Sequence, residues 1–197
     1  MNRTNSQRMS TLTLVTGAIL TALVVLLQYM GAVIRFGPFS VSLVLIPIVI
    51  GTATCGKWIG TWLGFMFGVS VLISGDAAAF LAVNPIGTFI TVLAKGALCG
   101  LIAGLAYEGA MKLFKDKTYP SALISAIICP IVNTGVFLIG CFLFFMPTIR
   151  EWAGGENVNV AKYIIFYLVG GNFLFELLLN VVLSPVIVRI LKAIRRK

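Results

Sequence analysis

Long apolar runs broken by short polar loops set the pattern of this chain. The first run covers 11–34 and ends at Arg35, and a Phe36–Gly37–Pro38 turn leads to a shorter run, 40–55, that contains Pro47. Gly56–Lys57 separates it from 58–74, after which Ser74–Gly75–Asp76 and the small run Ala77–Ala78–Ala79 form a loop. Three more runs follow at 86–107, 120–146 and 162–188, with polar loops at Lys112–Lys117 and Pro147–Asn159. At about 1.5 Å per residue, about 20 residues cross a hydrocarbon core of about 30 Å, so most of these runs reach across. Lipid offers backbone groups no partner, which predicts helices rather than open strands. The expected fold is an all-α integral membrane protein, a six-transmembrane-helix bundle, with 1–197 as a single membrane domain. The length and Pro47 of the second run predict a tilted or broken helix.

Composition agrees. The chain is 59% hydrophobic and 11% charged, whereas apolar usage in globular domains is nearer 45–50%. The first run is longer than the apolar core of a signal peptide and more runs follow, so it reads as a retained helix. With six spans, one side of the membrane collects Arg3, Arg8, Lys57, Lys112, Lys115, Lys117, Arg189, Lys192, Arg195, Arg196 and Lys197. The other side has Arg35, Arg150 and Lys162. The excess of basic residues on cytoplasmic loops then places both termini in the cytoplasm. The net charge of +9 is explained by this topology and by anionic headgroups, without nucleic acid. There is no histidine, which removes the usual zinc sites, histidine proton relays and Ser/His triads. Cys55, Cys99, Cys129 and Cys141 sit in or beside apolar runs without C-x-x-C spacing and read as small buried hydrophobes. No metal or cofactor is expected.

Small and polar residues inside the runs carry more information. Gly56, Gly60, Gly64 and Gly68, and then Gly96, Gly100 and Gly104, recur every four residues. Each set makes a smooth face for close packing, within the bundle or against a partner subunit. Deep polar groups are Lys95, Asn133, Asn172, Glu176 and Asn180, while Gln28 lies near a span end where solvent or headgroups satisfy it. Measured from the outer ends at about 1.5 Å per residue, Lys95 and Asn172 lie roughly 15 Å down and Asn133 and Glu176 roughly 20 Å. These levels fit one polar chamber in the outer half to middle of the bundle. An intramembrane charge is expensive and persists where it meets a cavity, a partner charge or a ligand. Lys95, Asn133, Asn172 and Glu176 are therefore candidate substrate-binding residues. So is Asn84, because Asn84–Pro85 breaks the chain and frees backbone donors at the next helix start. The alternative is that Lys95 and Glu176 only pair, tying two spans together, with the asparagines as interhelical glue; Asn180 reads as glue. Gly75–Asp76 and Trp152–Ala153–Gly154–Gly155 read as a lid or as ordinary turns, and Pro130 is expected to kink the fifth span.

The layout resembles a known family. Six helices in under 200 residues, internal termini, a basic loop after span four and polar groups on spans four to six are similar to the substrate-binding S component of energy-coupling factor (ECF) transporters. Ala18–Ile19–Leu20–Thr21–Ala22 matches that family's A-x-x-x-A motif. The stretches Gly37–Gly51 and Asn84–Gly104, and Cys129–Pro130–Ile131–Val132–Asn133–Thr134, also resemble its members. The resemblance implies a bacterial or archaeal cell-membrane protein that binds a vitamin or similar small molecule from outside beneath closing loops. It implies partners, a transmembrane coupling subunit docked on Ala18 and Ala22 and two ATPase subunits. The chain has no G-x-x-x-x-G-K-[ST] loop of its own. One deep lysine among asparagines suits a ligand with a carboxylate or phosphate and further polar groups. Pantothenate, folate, biotin and flavin-type molecules meet that description, pantothenate first.

Two other classes are open on the residues alone. A stand-alone ion-coupled carrier or channel, as a homo-oligomer, would use Lys95 and Glu176 for coupling or selectivity. An intramembrane hydrolase needs a nucleophile–base pair or two acids at one level, and Glu176 is the one acid deep inside a run. The chain is therefore not expected to be an enzyme.

Overall fold

The computed structural model describes residues 11–31, 35–36, 39–40, 43–154 and 159–195. Arg3 and Arg8, the Gly37–Pro38 turn, Gly155 and the last two residues lie outside the described residues. The chain is helical almost throughout. Helices α1 (Thr11–Gly31), α2 (Leu45–Cys55), α3 (Lys57–Ile73), α4 (Ala78–Val83) and α5 (Pro85–Leu113) follow in order. Helix α6 (Thr118–Gly140) passes through a π-helical turn, Cys141–Phe145, into α7 (Met146–Ala153). Helix α8 (Val160–Tyr163) continues through a π-helical segment, Ile164–Gly170, into α9 (Gly171–Arg195). Between α1 and α2, β1 (Arg35–Phe36) and β2 (Phe39–Ser40) pair antiparallel, Arg35 opposite Ser40 and Phe36 opposite Phe39.

Among the described residues, four helical stretches are long and apolar enough to cross a membrane: Thr11–Gly31, Pro85–Leu113, Thr118–Ala153 and Gly171–Arg189. Helices α2 and α3 are shorter, at 11 and 17 residues. The second apolar run does not form the helix expected over 40–55, because the β2 pairing takes its start and the helix begins at Leu45. Pro47 does not break α2. It sits in the first turn, where its missing N–H has no intrahelical acceptor to lose. Pro130 likewise lies inside an uninterrupted α6.

Helix α2 is apolar on all sides and is accordingly the buried centre of the bundle. Leu45, Ile48, Val49, Ile50 and Ala53 are buried there, and α1, α3, α5, α6 and α9 pack around them. Gly56, with φ +90°, turns the chain from α2 directly into α3, a conformation that side chains with a Cβ disfavour. It belongs to the four-residue glycine repeat by spacing, but it acts as a turn.

The remaining glycines of the two stripes face each other. A Cβ at Gly64 would run into the Gly96 carbonyl and one at Gly60 would crowd the Gly100 carbonyl, while the reverse substitutions meet the carbonyls of Gly64 and Gly60. Gly68 continues the seam against Val92 and Leu93, and Gly104 continues it against Lys57. Helices α3 and α5 thus pack antiparallel, backbone on backbone, and an ion pair from Lys57 to Glu108 at 3.0 Å closes one end. The stripes are spent inside the bundle.

Candidate functional site

The site lies at the end of the bundle where α3 finishes and α5 begins. Gly75, with φ +79°, turns the chain after α3, and α4 follows. Asn84 is extended, with φ −146° and ψ 92°, and caps α5: its Oδ1 accepts from the Gly87 N–H at 2.9 Å. Pro85 stands in the first turn of α5, where a missing N–H costs nothing. The Thr88 hydroxyl donates to the Asn84 carbonyl at 2.8 Å. Asn84, Thr88, Thr91 and Lys95 recur at intervals of four, three and four, so they stand on one face of α5.

Lys95 ends this polar column. Its ammonium lies 5.4 Å from the ring centres of both Phe67 on α3 and Phe137 on α6. Ring faces attract a cation, the more so where water is excluded, and partly offset the cost of holding the charge here. Lys95 makes no ion pair with any described residue. It lines a cavity of about 30 Å³ together with Asp76, Thr88, Thr91 and Phe80. That volume is on the order of one or two water positions. The cavity wall is aromatic. Phe80 of α4 meets Phe137, Phe145 and Trp152 edge-on, at centroid separations of 5.6, 4.9 and 5.4 Å. The π-helical turn and Pro147 set this up, since they rotate the chain so that Phe145 and Ile149 are both buried beneath α4 and α8.

Asp76 enters the cavity from the α3–α4 turn. The Gln28 amide of α1 donates to its Oδ2 at 3.4 Å and reaches the Ser74 hydroxyl at 3.5 Å. Gln28 is therefore not a residue satisfied by solvent at a span end; it is 1% exposed and bonded to the α3–α4 turn.

The other expected site residues lie elsewhere. Asn133 on α6 is 5% exposed and its Oδ1 has no hydrogen-bond partner among the described residues. Glu176 on α9 is 2% exposed, Asn172 one turn away is half-buried, and Asn180 donates from its amide to the Glu176 carbonyl at 2.9 Å. None of these four lines the Lys95 cavity. The single chamber expected from their depths is divided, because depth fixes a level but not the side of the bundle. Helix α6 packs against both α5 and α9, and no ion pair joins Lys95 to Glu176 among the described residues. Asn84 serves as a helix cap at the cavity rim. A larger hollow of about 280 Å³ between α6 and the segment leading into α9, lined by Ile131, Leu138, Ile164 and Phe173, has Thr134 as its polar side chain among the described residues.

On α1, Ala18 and Ala22 point outward, whereas Gly17, Leu20 and Val24 face the bundle. They sit among exposed Leu14, Val15, Ile19 and Leu26.

The sequence alone marks Gln28 as a polar group near a span end and Asp76 and Trp152 as parts of a lid or ordinary turns, and it does not single out Phe80. Thr88 and Thr91 are not singled out either, although the helical spacing of Asn84, Thr88, Thr91 and Lys95 is a signal that could have found them. The Gln28–Asp76 contact joins residues 48 apart and left no such mark.

Comparison with known proteins agrees with this architecture. The profile of the ECF transporter substrate-specific component family matches residues 12–190. The chain belongs to that family, whose members are the substrate-binding subunits of transporters that also contain transmembrane and ATPase subunits. It is a multi-pass cell-membrane protein with a role in transport, and this family is not one of enzymes. No curated protein and no solved structure matches the chain.

Proposed function

We propose that this chain captures an anionic, vitamin-like small molecule at Lys95 and delivers it to a separate ATP-driven coupling module. The observation that carries the reading is an ammonium held by two aromatic rings, with no ion-pair partner among the described residues, beside a cavity lined by Thr88 and Thr91 as well as Asp76. A membrane protein keeps such a charge where a ligand neutralises it. The single lysine suits one carboxylate, and pantothenate is the first candidate.

A vitamin needs hundreds of cubic ångströms, so the walls part on binding. Phe137 is one helical turn from Asn133 on α6. A displaced Phe137 ring opens the cavity toward the unpartnered Asn133 oxygen, and Asn172 and Glu176 of α9 form the wall beyond it. These residues, with Asn84 at the rim, make up the proposed enlarged site. The α4 and α7 segments joined by Phe80 and Trp152 are its lid.

Lys112, Lys115 and Lys117 cluster at the opposite end of the bundle from the cavity, with Lys57. The positive-inside rule then puts that end, and both termini, in the cytoplasm of a bacterial or archaeal cell, with the cavity opening outward. In this arrangement all six apolar helices contribute to crossing, in one domain. The outward-pointing Ala18 and Ala22 provide the small-residue face on which the coupling subunit docks.

Reconstitution in vesicles tests the division of labour. Bulk uptake of pantothenate is expected only with the coupling subunit, the ATPases and ATP. Uptake by this chain alone would instead establish a stand-alone carrier or channel.

A further inference from the structure

Three successive contacts fix the register of α5 against α6 beside the Lys95 cavity. A Cβ at Gly87 would meet Phe144, and one at Gly140 would meet the Thr91 side chain, hydroxyl included. One turn further along α5, the Lys95 ammonium lies over Phe137. Thr91 therefore stands one turn nearer the start of α5 than Lys95, and both line the cavity. Residues four apart on a helix have Cβ atoms roughly 6 Å apart, and helical side chains lean toward the start of the helix, which carries the ammonium toward Thr91.

The Thr91 hydroxyl departs from a pattern. Those of Thr21, Thr54, Thr61, Ser70, Thr88 and Ser121 each donate to the carbonyl four residues back, the usual local solution for a helix hydroxyl. Thr91 is 4% exposed, yet its hydroxyl has no hydrogen-bond partner among the described residues. A buried polar group left unpaired is costly, and each one calls for an explanation. Thr88 lines the same cavity, but its proton is already given to the Asn84 carbonyl. Two donors thus stand side by side on one small cavity, Lys95 without an ion pair and Thr91 without an acceptor among the described residues.

Resting on the proposed capture at Lys95, we infer that Thr91 binds the same anion and that this anion is a carboxylate. One carboxylate oxygen pairs with the ammonium and the other accepts the Thr91 proton. A carboxylate brings one negative charge and two oxygens, which matches one cation and one hydroxyl. A phosphate monoester brings a charge of about −1.5 to −2, more than one lysine balances.

The test uses the full chain in detergent, immobilised and washed with the small-molecule fraction of yeast extract, with retained compounds identified by mass. The wild type is expected to retain a carboxylic acid. Thr91→Val keeps the shape and removes the hydroxyl; it is expected to fold as the wild type does and to retain the acid about ten- to a hundredfold less. Thr91→Ser is expected to restore most of the retention. Wild-type retention by Thr91→Val, a loss in Thr91→Ser as deep as in Thr91→Val, or a retained phosphate ester without a carboxylate overturns this inference and leaves capture at Lys95 standing. So does a Thr91→Val chain that gel filtration shows to be unfolded, because the hydroxyl would then have a structural partner. No retained compound, a neutral one, or undiminished retention by folded Lys95→Gln overturns capture at Lys95 itself.

Discussion

Gly64 of α3 and Gly96 of α5 meet backbone against backbone, and a Cβ on either would collide with the other's carbonyl group. Lys95 is the residue next to this contact, and Phe67, over which its ammonium lies, is three residues from Gly64. The seam therefore fixes both the lysine and one of its rings. Gly64→Ala is expected to destabilise the folded protein by roughly 1–3 kcal/mol, the range for overpacking a tight interior. Gly109→Ala on the same α5 helix is the control, since nothing stands within 4 Å of its added Cβ. It should stabilise by roughly 0.5–1 kcal/mol, the usual helix-interior gain over glycine. Unfolding curves in detergent distinguish the two.

Lys95 and Glu176 stand on helices that each pack against α6, and no ion pair joins the two among the described residues. A double-mutant cycle with Lys95→Leu and Glu176→Leu should give a coupling below about 0.5 kcal/mol, as for independent sites. Recovery of stability in the double variant relative to either single variant would show that the two groups pair.

Asn84 caps α5 with its side-chain oxygen. Asn84→Ala should cost about 1 kcal/mol of stability, whereas Asn84→Asp, which keeps the acceptor, should cost much less. Thermal unfolding in detergent reads the difference.

Ala18 and Ala22 are exposed on α1 and support nothing inside the bundle. Ala18→Trp or Ala22→Trp should leave folding and small-molecule retention unchanged and abolish co-purification with the coupling subunit. Retained assembly would remove the docking assignment.

The helical membrane fold was legible because apolar runs of bilayer length admit few other structures. The glycine stripes were legible as close-packing faces, and each proved to be the other's partner. The start of α2 was harder to read, because Pro47 looks like a breaker unless it is known to lie in a first turn. Depth along a helix places Lys95 well along its span, and in the structure its half-buried side chain lies beside Phe67 and Phe137. Depth did not show that Asn133, Asn172 and Glu176 stay off the wall of the Lys95 cavity, since helix neighbours are chosen by packing across the whole molecule. Asp76 passed for a loop residue for the same reason: its importance comes from Gln28, on a helix distant in sequence, and from the cavity that Asp76 lines.

Native mass spectrometry of the detergent-purified protein, expressed in rich medium, tests most directly the claim that Lys95 holds a captured anion. The wild type should carry one vitamin-sized acidic molecule, and Lys95→Ala, folded and otherwise intact, should lose it. A wild type that carries none, or a Lys95→Ala variant that carries the same molecule at the same occupancy, would contradict the account.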